Sequence, residues 1–135
     1  MIVIDASALV ELLMQSAAGA RLARRMETER LTLHAPDLIL LEVMQVLRKA
    51  SARGLLREER AQAAVGALLA TRLQRYAHAP LAERIWSLRG NLTAYDAAYV
   101  ALAESLEAPL VTLDARIAAA SGHRARVEVI ERTRR

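Results

Sequence analysis

No cysteine occurs among the 135 residues, so the chain can build neither a disulfide nor a thiolate metal site. Its three histidines, His34, His78 and His123, are scattered without the spacing of zinc ligands, which argues against a zinc centre. Phenylalanine is absent too, and with one Trp and three Tyr a stacking platform for single-stranded nucleic acid would be thin. No apolar run reaches the ~18 residues of a membrane span. Met1 leads straight into Ile2-Val3-Ile4-Asp5, with no basic leader and an acid closing the apolar segment, so the sequence predicts no secretory signal and a cytoplasmic protein. There is also no P-loop, no dinucleotide fingerprint and no nucleophile triad.

What remains is a soluble globular composition, 54% hydrophobic and 25% charged, in a chain of 14.8 kDa. That size predicts one domain over residues 1–135 with a real core, since such a chain hides roughly two-thirds of its unfolded surface. The net charge is +4, and all but one of the 19 basic residues are arginine. Arginine suits phosphate. The chain is also very rich in alanine and arginine, as a GC-rich genome would make it, so charge alone decides little.

The apolar periodicity predicts strands at residues 2–4, 31–34, 73–78, 110–113 and 127–130. Helices are expected over 6–14, 20–29, 37–52, 57–73, 80–90, 93–106 and 115–121. Ala35-Pro36 should end the second strand, Gly54 the third helix, and Pro80 should open the fifth. Strands alternating with helices give an α/β layer structure around a largely parallel sheet. In such sheets ligands bind beyond the carboxyl ends of the strands.

Four acids stand at the edges of apolar runs: Asp5, Glu42, Asp96 and Asp114. The chain has only four aspartates, and three belong to this set. Asp5 and Asp114 close predicted strands, and each also suits an N-cap for the helix that follows. Asp96 stands three residues after Thr93, a spacing that resembles a capping box. Glu42 is harder to explain locally: from 38 to 47 every residue except Glu42 and Gln45 is apolar, and these two share one helix face. A narrow solvent stripe would account for them. So would a carboxylate aimed into a polar crevice, with Gln45 as its hydrogen-bonding neighbour.

Gathered together, these acids repel. Two unit charges ~4 Å apart at an effective dielectric of ~20 oppose each other by ~4 kcal/mol. Such a cluster expects protons or a hard cation, and oxygen-only ligands suit Mg²⁺ or Mn²⁺. Metal-assisted phosphodiester hydrolysis then follows more naturally than proton-transfer chemistry.

The segments Met-Ile-Val-Ile-Asp5-Ala-Ser7, Leu41-Glu42-Val-Met-Gln-Val-Leu47, Leu92-Thr93-Ala-Tyr-Asp96-Ala-Ala-Tyr-Val-Ala-Leu102 and Leu110-Val-Thr112-Leu-Asp114 resemble, in order and spacing, the motifs of PIN-domain ribonucleases. More narrowly, the chain is similar to the VapC toxins of bacterial type II toxin–antitoxin pairs. The resemblance implies a PIN-like three-layer α/β sandwich. It implies a pocket of Asp5, Glu42, Asp96 and Asp114 around Mg²⁺ or Mn²⁺, with Asp5 and Asp96 the most direct ligands. Ser7 and Thr112 match small hydroxyl positions that support such a pocket. It also implies an RNA substrate, a homodimer, and a cognate VapB-type antitoxin with which a higher assembly forms. Gln45 departs from the Asn often found there.

Arg116, just past Asp114, is a candidate contact for an RNA phosphate. The basic tail of Arg132, Arg134 and Arg135 is expected to be solvated, Tyr99 to pack, and Trp86 to lie in the core or at a dimer contact. Two other classes are weaker. An aspartyl-phosphate enzyme would want a second acid where Ser7 stands, or a lysine after a late strand, and the only lysine is Lys49 in mid-helix. A catalytically silent binding module would tolerate loss of one of the four acids, and none is lost.

Overall fold

The computed structural model describes residues 1–132. Its five strands are β1 (Ile2–Ile4), β2 (Leu33–Pro36), β3 (Leu73–Tyr76), β4 (Leu110–Thr112) and β5 (Val127–Val129). They form one sheet in the order β3-β2-β1-β4-β5, and all four pairings are parallel. The all-apolar β1 takes the centre, with Val3 opposite His34 on one side and Leu110 on the other. Its three side chains have no solvent exposure, as expected of a parallel strand covered on both faces. Each such Val or Ile contributes ~1.5–3 kcal/mol of burial.

The helices are α1 (Ala6–Leu13), α2 (Ala17–Glu29), α3 (Ile39–Ala52), α4 (Glu58–Ala70), α5 (Ala82–Ser87), α6 (Ala94–Leu106) and α7 (Ala115–Ala119). Crossovers between parallel strands are right-handed. The path β1 to β2 to β3 runs one way along the sheet and puts α1 to α4 on one face. The path then jumps back past β1 to β4, which puts α5 and α6 on the other. That reversal makes the gap between β1 and β4 the topological switch point, where a crevice opens beyond the strand ends. Helix α6 is buried from Ala97 through Glu104, and its alanines let it lie close to the sheet. Gly19 serves the other layer: a Cβ there would collide with the backbone of Glu11, so the α1–α2 approach requires glycine.

Several expectations need correction. Strand β2 begins and ends two residues later than predicted, and Pro36 pairs with Tyr76 instead of stopping the strand before it. Proline is tolerated because it is the last residue, and the next donor, Asp37 N–H, reaches the Tyr76 carbonyl at 2.9 Å. The helix expected over 80–90 is a 3₁₀ turn (Ala79–Leu81) followed by α5, which stops at Ser87. The Ser87 hydroxyl donates to the Arg84 carbonyl at 2.7 Å, the local competition that makes serine a poor helix interior. Of the two places expected for Trp86 the core is excluded: it is 68% exposed, with the Arg89 guanidinium 4.6 Å above its ring. Arg132 is solvated as expected, 76% exposed and 3.8 Å from Glu11, while Arg134 and Arg135 lie outside the described residues.

Candidate active site

The switch-point crevice is built by two hydroxyls. Asp5 follows β1 and caps α1, accepting the Ala8 N–H on Oδ1 at 3.1 Å. The same oxygen accepts the Ser7 hydroxyl at 2.6 Å, and Oδ2 accepts the Thr112 hydroxyl at 2.5 Å. Ser7 Oγ in turn accepts the Leu113 N–H at 3.0 Å, and Thr112 Oγ1 accepts the Asp114 N–H at 2.9 Å. A carboxylate only accepts, so each hydroxyl donates to Asp5 and uses its own oxygen to accept a backbone N–H. Two strand ends 107 residues apart are thus stitched through one buried carboxylate.

Capping and clustering are not alternatives here. Thr93 caps α6, its Oγ1 accepting the Asp96 N–H at 3.1 Å, and this sets Asp96 in the first turn. Asp114 caps α7 by accepting the Arg116 N–H at 2.9 Å. Glu42 stands in the first turn of α3, just beyond the end of β2.

The four carboxylates act on one another. Burial raises Asp5 above the ordinary carboxylate range, its three hydrogen bonds oppose that, and the charge of Asp114 adds to it. Asp96 is raised by burial and by Asp114, with Asp5 contributing and Arg116 opposing. Burial also raises Glu42, the Tyr99 hydroxyl pulls it back, and the charges of Asp96 and Asp5 push it up again. Asp114 alone is lowered. Arg116 grips it with Nε at 3.0 Å from Oδ1 and Nη2 at 2.8 Å from Oδ2.

Gln45 is not the partner of Glu42. It is exposed, and the hydrogen bond it was expected to make comes instead from Tyr99, whose hydroxyl donates to Glu42 Oε1 at 2.5 Å. Tyr99 packs as the sequence predicts, 1% exposed, but it also reaches the site. The sequence shows that Tyr99 lies one helical turn from Asp96 and that a buried phenol needs a partner, but not that the partner is Glu42.

This donor set fits a hard divalent ion: it is oxygen-only and acidic, and a cation would relieve its repulsion. Asp5, Asp96, Glu42 and Asp114 are the residues that would hold it. Among the described residues no three acids or histidines yet form a ready ligand cluster. The Asp114 oxygens are turned onto Arg116.

A family model described as PIN domain matches residues 2–122. Ribonuclease VapC12 of Mycobacterium tuberculosis is 42% identical over 130 residues, covering 96% of this chain and 99% of its own length. Ribonuclease VapC1 of the same organism is 45% identical over 121 residues, covering 89% and 90%. Among solved structures, VapBC2 from Rickettsia felis, bound to a DNA fragment from its promoter, shares the fold with a TM-score of 0.72 at 16% identity, covering 97% of this chain and 100% of that one.

Proposed function

Since the chain belongs to the PIN-domain family and, within it, to the VapC ribonucleases, we propose that it is a Mg²⁺- or Mn²⁺-dependent endoribonuclease acting as the toxin of a type II toxin–antitoxin pair. The observation that carries this reading is the hydrogen bonding at the switch point, where Thr112 joins Asp5 to the Asp114 backbone and Tyr99, on the helix that carries Asp96, holds Glu42. Bound there, the ion would acidify a water and neutralise charge on the phosphoryl oxygen.

The chain's own residues do the rest. Ser7 and Thr112 keep the Asp5 oxygens fixed, each donating its proton to Asp5 while its own oxygen accepts a backbone N–H. Thr93 and the first turn of α6 hold Asp96 at the rim. Arg116, on the outer side of Asp114 and 90% exposed, is free to take an RNA phosphate when it leaves that carboxylate. No helix among the described residues is long and apolar enough to cross a membrane, and the reading places the protein in the cytoplasm.

The same reading supplies partners: a VapB-type antitoxin, a second copy of the chain, and a higher assembly of both. Large apolar side chains stand exposed for such contacts, among them Leu41 on α3, Leu69 on α4 and Trp86 on α5. A small upstream open reading frame with a DNA-binding N-terminus is expected beside the gene.

The test is expression of the chain in a bacterial host, followed by sequencing of RNA 5′ ends, with Asp5→Asn as control. Discrete new ends are expected with the wild type only. Identical end profiles for both proteins would refute the activity.

A further inference from the structure

We infer that Tyr99 is a positioning residue for Glu42, its phenol holding one carboxylate oxygen so that the other is kept for the crevice. The inference rests on the metal-dependent ribonuclease reading and deepens it.

Tyr99 is among the largest of the fully buried side chains, and its neighbours on α6, Ala97, Ala98, Val100, Ala101 and Leu102, offer no polar group. A phenol sealed in such surroundings needs an acceptor. It finds one in a different layer of the molecule: Glu42 belongs to α3 on one face of the sheet, Tyr99 to α6 on the other. The bond therefore closes over the carboxyl ends of the strands, where Asp5 lies.

Glu42 has little else to hold it. It sits on a face whose next polar residue, Gln45, is exposed, and the charges of Asp5 and Asp96 repel it. A glutamate with three free torsions and two like-charged neighbours would swing toward water. The phenol O–H, donating to Oε1, is its only side-chain partner among the described residues and leaves Oε2 unengaged. A hydrogen bond from a neutral donor to a carboxylate is short and strong, and here it costs little in order because the tyrosine ring is already packed. Asp96 and Tyr99 lie three residues apart on α6, so the same helix supplies one acid of the pocket and the group that orients another.

Tyr99→Phe keeps the ring and removes only the hydroxyl. Mn²⁺ affinity is measured by electron paramagnetic resonance for the wild type, Tyr99→Phe, Glu42→Gln and the double variant. Steady-state cleavage of a short RNA and the metal-free melting temperature are recorded alongside. Loss of a partner that orients a ligand typically weakens metal binding by roughly 10- to 100-fold. Tyr99→Phe is therefore expected to bind Mn²⁺ about tenfold more weakly and to lose kcat with KM for RNA little changed. In the Glu42→Gln background the same substitution should have no further effect on Mn²⁺ affinity, because Tyr99 acts through Glu42.

Wild-type Mn²⁺ affinity in Tyr99→Phe would overturn the inference, and so would losses that simply multiply in the double variant. A Tyr99→Phe protein that is unfolded without metal would make Tyr99 a core residue only, which also overturns it. If the wild type itself neither binds Mn²⁺ nor cleaves RNA, the ribonuclease reading fails and takes this role with it. That outcome is distinguishable because it appears before any variant is compared.

Discussion

Thr112 Oγ1 donates to Asp5 Oδ2 at 2.5 Å while the Asp114 N–H donates to Thr112 Oγ1 at 2.9 Å. One hydroxyl thereby joins Asp5 to Asp114, the first and last of the four acids. Valine at this position would keep the β-branched shape and strand propensity but leave Asp5 with one donor fewer.

Thr112→Val is predicted to reduce RNA cleavage at least tenfold, with Thr112→Ser retaining most of the activity. It should also change the pH dependence of metal-free stability. Asp5 is already raised in the folded protein, so its contribution to stability falls as pH climbs above the unfolded value of about 3.9. Losing a bond that favours the charged form pushes Asp5 higher. The cost of Thr112→Val should therefore be larger at pH 7 than at pH 4, which urea unfolding at both values in EDTA would reveal. Equal costs at the two pH values would show that Asp5 does not depend on this hydroxyl.

Relief of repulsion gives a second prediction. Asp96 is raised by burial and by the charges of Asp114 and Asp5, so Asp96→Asn should melt higher than the wild type in EDTA. Added Mn²⁺ should raise the wild-type melting temperature and leave the variant's nearly unchanged. Thermal melts of both proteins with and without Mn²⁺ test this, and a variant that melts lower in EDTA would show that the acids are not mutually strained.

The sequence revealed the frame of this site more readily than its details. The apolar runs at 2–4 and 110–113 marked two buried parallel strands, found at Ile2–Ile4 and Leu110–Thr112, and the acids closing the runs followed from them. The reach of Tyr99 to Glu42 was not legible, because a contact 57 residues apart depends on how α3 and α6 cross the strand ends. The shift of β2 was missed for a related reason: its register is set by β1 and β3, and local proline chemistry only bounds it. For Trp86 only the core is excluded, because the short α5 turns it outward beneath Arg89.

Away from the site, Arg84 forks onto Glu104 with Nε–Oε1 2.7 Å and Nη2–Oε2 2.9 Å, and the Arg124 N–H adds a third donor to Oε2. The Glu104 side chain is 2% exposed and Arg84 35%, so the pair fastens α5 to α6 from within. Glu104→Gln should cost about 1–3 kcal/mol near neutrality, toward the lower end because the arginine is partly solvated. Arg84 holds Glu104 below the usual carboxylate range, so its contribution is complete above the unfolded value and is lost as pH falls through the lower folded one. Chemical denaturation should therefore show the gap between wild type and variant closing below about pH 4.

Arg116 offers a fourth prediction, since it neutralises Asp114 in the metal-free protein. Arg116→Ala should bind Mn²⁺ a few-fold more tightly, because the ion no longer competes with a guanidinium for the same oxygens. RNA binding should weaken, with a salt dependence shallower by about one unit of log–log slope. Fluorescence anisotropy with labelled RNA across a salt series, beside a Mn²⁺ titration, measures both effects. An unchanged salt slope would remove Arg116 from the RNA-binding surface.

Calorimetric titration of Mn²⁺ into the purified wild type, Asp5→Asn, Glu42→Gln, Asp96→Asn and Asp114→Asn asks whether four distant acids make one ion-binding hollow. Saturable binding by the wild type, weakened at least tenfold in Asp5→Asn and Asp96→Asn and to a lesser degree in the other two, is the expected result. Folded variants that all take up Mn²⁺ as the wild type does, or a wild type that takes up none, would contradict it.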